Sequence, residues 1–182
     1  MSQITPAHIT LAQGNGGRLM RQLIEEVFAA QLENPDLESN LDTQLDAASL
    51  PAMDGELMMT VDSFTVSPLE FPGGSIGSLA IHGTVNDLAV SGAVPQFLSL
   101  SAIIEEGLAV DTLQRIVHDM AEAARKAKVQ IVCGDTKVVP RGEGSGLYLT
   151  TTGIGARNQD LQLGPHLIKD GDRILVSGPV GD

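Results

Sequence analysis

From Gln22 to Gln114 the chain contains no lysine or arginine, yet it carries fifteen aspartates and glutamates. No cation within the stretch can pair with them, and a buried, unpaired carboxylate costs several kcal/mol. These acids must therefore stay at the surface or gather round a cation from outside. Just before the stretch lies Gly14-Asn15-Gly16-Gly17, a loop that can turn several backbone N–H groups toward a phosphate. An anion loop beside bare carboxylates calls for a divalent cation between them. The pattern points to a metal–nucleotide site.

A chain of 182 residues suffices for one domain with its own core. A hydrophobic share of 42% excludes wholesale disorder. The net charge of -12 argues against nucleic acid and anionic membrane as partners. No apolar run is long enough to span a bilayer. Met1 to Leu11 has neither a basic flank nor an apolar segment, so no secretory signal is expected. Cys133, the single cysteine, can form no internal disulfide, which suits a reducing, cytoplasmic setting. With four Phe, one Tyr and no Trp, the core must be built from Leu, Ile, Val, Met and Ala. The same scarcity removes the aromatic platforms that stack nucleic-acid bases.

Leu19, Met20, Leu23, Ile24, Val27 and Phe28 recur at helical spacing and predict a helix from Gly17 to about Gln31. Asn34 to Ala52 reads as an acidic surface excursion. Leu57 to Val61 predicts a strand ending at Asp62-Ser63, and Phe71-Pro72-Gly73-Gly74 is a breaker. Ile76 to Ser91 predicts a helix whose Ala80, Gly83 and Ala89 suit close packing. Phe97 to Ile104 predicts a buried strand. Asp111 and Gln114 have capping-box spacing ahead of a helix with Leu113, Ile116, Val117, Met120 and Ala124 on one face. Val129 to Cys133 predicts a strand closed by Gly134-Asp135-Thr136. Leu147 to Ile154 predicts another after a flexible Arg141-Gly142-Glu143-Gly144, and Arg173 to Ser177 a last one. Interleaved helices and strands make the class α+β or α/β. Residues 1–12 are expected to be a flexible start. Residues 171–182 look like the start of a link to a further C-terminal domain, as in a fragment of a longer chain.

Taken alone, Gly14 to Gly17 is first a tight turn that caps a helix; it matches neither a Walker A motif nor GxGxxG. Asp46, Asp62, Asp87 and Asp135 are each, singly, turn formers or caps. Together they are hard oxygen donors of the kind that suits Mg²⁺ bridging to phosphate. Two carboxylates ~6 Å apart repel by roughly 3 kcal/mol at an effective dielectric near 20, so such a set would take up a cation readily. Lys137, two residues beyond Asp135, could reach a phosphate or simply sit in a surface turn. His8, His82, His118 and His166 show no ligand spacing.

Several motifs occur in order: Gly14-Asn15-Gly16-Gly17-Arg18-Leu19-Met20, Thr60-Val61-Asp62-Ser63-Phe64, Phe71-Pro72-Gly73-Gly74, Gly83-Thr84-Val85-Asn86-Asp87-Leu88-Ala89-Val90, Ile104-Glu105-Glu106-Gly107 and Gly134-Asp135-Thr136-Lys137-Val138-Val139. Over nearly its whole length the chain resembles the N-terminal part of the HypE family. These are carbamoyl dehydratases of nickel–iron hydrogenase maturation, within the aminoimidazole ribonucleotide synthetase (PurM-like) superfamily. The resemblance implies a mixed β-sheet with helices on one face, two copies pairing their sheets into a barrel-like homodimer with ATP near the interface. It implies that Gly14, Asn15, Gly16 and Gly17 cover phosphates, with Asn86, Thr136 and Lys137 in the nucleotide motifs. Asp62, Asp87 and Asp135 would hold Mg²⁺, with Asp46 a fourth, less well matched ligand.

The implied reaction uses ATP to dehydrate an S-carboxamide on the family's C-terminal cysteine to a thiocyanate, the source of the hydrogenase cyanide ligand. HypF would donate the carbamoyl group and the HypC–HypD complex would accept the cyanide. The acceptor cysteine has no counterpart here, so the catalytic thiol is unassigned and the chain alone is expected not to complete the dehydration. Gln13 and Asn15 stand where the family usually has His and Ser, and His82 where many relatives have Cys; neither departure removes a carboxylate. Another ATP-dependent enzyme of the superfamily, such as a thiamine-monophosphate kinase or a selenophosphate synthetase, and a nucleotide-free docking module for HypF are the alternatives.

Overall fold

The computed structural model describes residues 7–32, 47–176, 178 and 179. A four-stranded sheet in the order β1-β6-β4-β5 organises them. Its strands are β1 (Glu56–Phe64), β4 (Ala93–Glu105), β5 (Gln130–Val139) and β6 (Leu147–Arg157). A short ribbon of β2 (Glu70–Phe71) and β3 (Gly74–Ser75) stands apart. β6 runs antiparallel to both β1 and β4, and β4 runs parallel to β5. The parallel pair needs a crossover, and α4 (Val110–Ala127) provides it. The sheet is thus mixed and open, with β1 and β5 as its edges.

Among the described residues, helices cover one face of the sheet only. α3 (Ile76–Val90) and α4 pack against each other and against the sheet. Leu98, Leu100, Ala102 and Ile104 of β4 meet Ile76, Ala80 and Ile81 of α3 and Leu113, Ile116, Val117 and Met120 of α4 in one buried cluster. Each fully buried Leu, Ile, Val or Met among them contributes about 1.5–3 kcal/mol. Small residues let the helices close up: a Cβ at Gly77 would lie 2.2 Å from the Ile116 carbonyl oxygen. Among the described residues nothing covers the opposite face of the sheet. Leu57, Met59 and Val61 alternate along β1 at 63%, 72% and 62% exposure, so the edge strand turns an apolar row to solvent.

The first helix forms as α1 (Gly17–Leu23), continues through a π-helical segment, Ile24–Ala29, and ends in α2 (Ala30–Leu32). Residues 7–12 are not loose. Ile9 N–H donates to the Leu108 carbonyl at 2.8 Å, Gly107 N–H to Ile9 at 2.8 Å and Val110 N–H to Ala7 at 3.0 Å. Ile9 is 1% exposed in consequence. The acidic excursion falls largely on residues 33–46, outside the described residues.

Other expectations needed correcting. Asp62 and Ser63 lie inside β1, not at its end, because β6 pairs along the whole strand through Phe64. Gly134, Asp135, Thr136 and Lys137 likewise lie within β5, which β4 holds as far as Val139. β4 starts at Ala93 and accommodates Pro95 at an irregularity in its pairing with β6, where a missing N–H is tolerated. α4 is capped by Ala109 without a side-chain bond, so Asp111 sits in the first turn and the expected capping box does not form. Arg173 to Val176 form no strand: Ile174 and Leu175 are 93% and 88% exposed and pair with no strand among the described residues. No described helix is long and apolar enough to cross a membrane.

Candidate functional site

The residues singled out in the sequence fall into two groups on opposite edges of the sheet. The first group is on β1 and α3. Period-two alternation puts Thr60, Asp62 and Phe64 on the helix-covered face of β1. Thr60 Oγ1 donates to Asp87 Oδ2 at 3.1 Å, which ties the strand to the helix. Asp62 Oδ1 accepts the Ser63 N–H at 2.8 Å. A Cβ at Gly83 would lie 2.6 Å from the Phe64 ring and 3.6 Å from Asp62 Oδ2, so glycine allows α3 to approach there. Asp87 is one turn beyond Gly83 on the same side of α3. Asp62, Asp87 and the Thr60 hydroxyl thus lie on the same side of one corner of the sheet, oxygen donors of the type that suits Mg²⁺. Beside them is a shallow cavity of ≈ 280 Å³ lined by Met58, Met59, Thr60, Asp87, Leu88, Val90 and Ser91. Asn86 is exposed next to Asp87.

The second group is on β5 and the loop before α1. A Cβ at Gly14 would lie 2.7 Å from Val138 Cβ and 3.1 Å from its backbone N, so only glycine lets the loop sit on β5. Gln13, 2% exposed, accepts the Thr10 N–H at 2.7 Å and braces the turn that leads in. Leu11 N–H reaches Glu106 Oε1 at 3.3 Å. Gly16 and Gly17 have φ of +75° and +74°, and added Cβ atoms there would meet nothing within 4 Å. Gly16 caps α1 without a side-chain bond, which leaves the first N–H groups facing outward. Asn15 is exposed in the same loop.

Asp135 and Lys137 lie on that edge but on the bare face. The register makes Asp135, Ser101, Thr150 and Ser63 one row across the sheet, and Gly134, Leu100, Thr151 and Asp62 the next. Successive rows face opposite ways. Asp62 therefore belongs to the helix side, where Thr151 is fully buried, and Asp135 to the open side. Lys137 Nζ is 3.5 Å from Asp135 Oδ2, both side chains more than 60% exposed, so the pair adds little stability. Thr136 points inward and is 7% exposed.

The two groups are three strand spacings apart, about 14 Å. Within one chain Asp62 and Asp87 come together and Asp135 does not join them. Among the described residues no three His, Cys, Asp or Glu side chains could hold a metal ion. Asp46 lies outside the described residues. His82 is exposed on the far side of α3, lining a groove with Gly73, Gly74, Asp119 and Glu122. The sequence reading overlooked Thr60. Its signal was available, since a residue two before Asp62 in a strand must share its face.

One further carboxylate near the second group is structural. Glu105 accepts the Gly142 and Gly146 N–H groups, the latter at 2.8 Å, so the loop expected to be flexible is pinned at both ends. The Gly142 bond, then the Gly146 bond, with the Arg141 charge adding, holds its pKa below the ordinary 4.5. A depressed carboxylate stabilises the fold above its unfolded pKa and ceases to as pH falls through the folded value. Glu105→Ala is therefore expected to speed amide exchange at Gly142 and Gly146 at neutral pH. Its stability gap from wild type should close once the pH falls well below 4.5. A gap independent of pH would overturn this assignment.

Comparison with known proteins bears on what these groups do. Residues 44–156 match the family described as AIR synthase related protein, N-terminal domain. Carbamoyl dehydratase HypE of Azotobacter vinelandii is 49% identical over 174 residues, 96% of this chain and 50% of that protein. A crystal structure of hydrogenase maturation protein HypE in complex with ATP superposes with a TM-score of 0.74 at 50% identity, covering 81% of this chain and 42% of that one. A crystal structure of a HypE–HypF complex gives 0.56 at 50% identity, covering 74% of this chain and 42% of that one. The chain spans about half the length of the curated relatives it matches.

Proposed function

Since this chain belongs to the AIR synthase related family through its N-terminal domain, we propose that it is the ATP-binding part of a HypE-type carbamoyl dehydratase. The observation that carries this reading is the 49% identity with a carbamoyl dehydratase HypE across 96% of the chain. The geometry supports a site completed between two copies. Each chain offers a carboxylate corner at β1 and a phosphate loop at β5, and between them an open face that is apolar along β1 and rich in Ser and Thr across the inner strands. A second copy pairing along the β1 edge as well as that face would bring the β5 edge of one chain, with the Gly14–Gly17 loop, Asp135 and Lys137, toward the Asp62 and Asp87 corner at the β1 edge of the other. The magnesium site is then shared across the homodimer.

Magnesium, when bound, neutralises charge on the phosphoryl oxygens of ATP. The chain's own residues supply the rest. Asp62 and Asp87 hold the cation, with the Thr60 hydroxyl fixing one carboxylate oxygen of Asp87. The open N–H groups of Gly16 and Gly17 and the Lys137 ammonium take the negative charge of the phosphates. Thr136, 7% exposed, stands between Asp135 and Lys137 in the same nucleotide motif. In the reaction we propose, ATP phosphorylates the oxygen of a cysteine S-carboxamide. Loss of phosphate and the two N–H protons leaves a thiocyanate, with ADP as the other product. Cys133 is held within β5 and is not proposed as the acceptor. The carbamoyl group would come from HypF and the cyanide pass to a HypC–HypD complex, in the cytoplasm.

Calorimetric titration of the chain with Mg²⁺-ATP tests the reading. Saturable binding is expected, weakened about a hundredfold, or about 2.7 kcal/mol, by Asp62→Asn or by Asp87→Asn. Affinity untouched by both substitutions would remove the metal assignment. No binding by the wild-type dimer would leave a docking module in its place.

A further inference from the structure

Thr84 and Thr151 are both fully buried, one on α3 and the other on β6. Thr151 Oγ1 donates to the Ala80 carbonyl at 3.1 Å. A hydroxyl has a single hydrogen, so in the bond between Thr84 Oγ1 and Thr151 Oγ1 the donor must be Thr84. Ala80 is four residues before Thr84. A helical threonine ordinarily donates to that carbonyl itself. Here the strand hydroxyl has been inserted into the bond, giving a directed relay from Thr84 to Thr151 to Ala80 that stitches α3 to β6.

The relay lies directly behind the carboxylate corner. Thr151 is the pairing partner of Asp62 across β1 and β6. Asp87 follows Thr84 by one turn of α3. Close contact reinforces the placement: a Cβ at Gly153 would lie 2.7 Å from Thr84 Cγ2 and 3.0 Å from Leu88 Cδ1. α3 thus lies close against β6 at Gly153, and the relay bonds the two elements at the same place.

We propose that Thr84 and Thr151 are positioning residues for the Asp62–Asp87 pair, fixing the rotation of α3 over β6 and with it the spacing of the two carboxylates. They touch neither metal nor nucleotide. The inference rests on the reading of that corner as a magnesium site, and its test separates the two. Thr151→Val keeps the shape and removes the hydroxyl. Thr84 can then turn back to Ala80, so the variant should fold. Thr84→Ala cuts the relay from the other side and leaves Thr151 bonded to Ala80.

Binding of ATP is measured with Mg²⁺ and again with EDTA. Both variants should weaken binding about ten- to a hundredfold with Mg²⁺ and match wild type in EDTA, and Thr151→Ser should restore the wild-type value. Equal weakening with and without the metal, no weakening at all, or no rescue by serine would overturn the proposal and leave the magnesium reading standing. Wild-type binding that is indifferent to Mg²⁺ would overturn both.

Discussion

Mixing Asp87→Asn chains with Asp135→Asn chains is expected to restore Mg²⁺-ATP binding that neither variant has alone. The two aspartates lie on opposite edges of the sheet and opposite faces, β1 with α3 against β5. If each site takes its carboxylate corner from one copy and its β5 edge from the other, each pure variant dimer has two damaged sites. A mixed dimer concentrates both substitutions in one site and leaves the other intact. Random pairing across a two-fold interface makes half the dimers mixed, so about a quarter of the wild-type sites should return. Each pure variant should bind about a hundredfold more weakly than wild type, or about 2.7 kcal/mol. Recovery is read by titrating refolded or co-expressed mixtures. Mixtures that bind no better than the average of the two variants would place the whole site within one chain.

If two copies pair through the open face as proposed, Met59→Glu with Val61→Glu should leave the chain monomeric and abolish the proposed nucleotide binding without unfolding it. Both side chains are more than 60% exposed on the bare face of β1, so in a single chain the change touches no core. An uncovered edge strand with an apolar row is a standing invitation to another sheet. Covering such a side chain contributes about 1.5–3 kcal/mol, and a buried, unpaired carboxylate in its place reverses the sign. Two per chain, doubled by symmetry, exceed what a modest dimer could absorb. Size-exclusion with light scattering reads the association, circular dichroism the fold and calorimetry the ATP. A double variant that remained a dimer with wild-type affinity would put the interface elsewhere. One that became monomeric yet bound Mg²⁺-ATP normally would show that the second copy contributes nothing to the site.

The helical spacing of Leu113, Ile116, Val117 and Met120 specified α4, because a helix repeats within a few residues and its buried stripe is a local pattern. Small residues in Ile76 to Ser91 announced a helix meant for close approach; Ala80 and Gly83 make such contacts, and Gly77 with them, whereas Ala89 is exposed and packs against nothing among the described residues that needs a small residue. Strand ends were less legible. Asp62 and Gly134-Asp135 look like terminators in isolation, yet β6 and β4 continue the ladders past them. Tertiary pairing outweighed the weak local preference of Asp and Gly. Arg173 to Val176 shows the converse: residues suited to a strand form none without a partner.

The chain's sequence by itself determined the cast of the candidate site: an open glycine loop, acids with no lysine or arginine near them in sequence and a packed helix of small residues. Those are matters of residue type and short spacing. Which of them meet was decided only by the tertiary structure. Side chains alternate every residue along a strand, so the face each occupies depends on registers set between segments dozens of residues apart. That parity puts Asp62 beside Asp87 under α3 and turns Asp135 to the open face of the far edge. It also brings Thr151 behind the carboxylates, 67 residues from Thr84, a meeting no local pattern encodes.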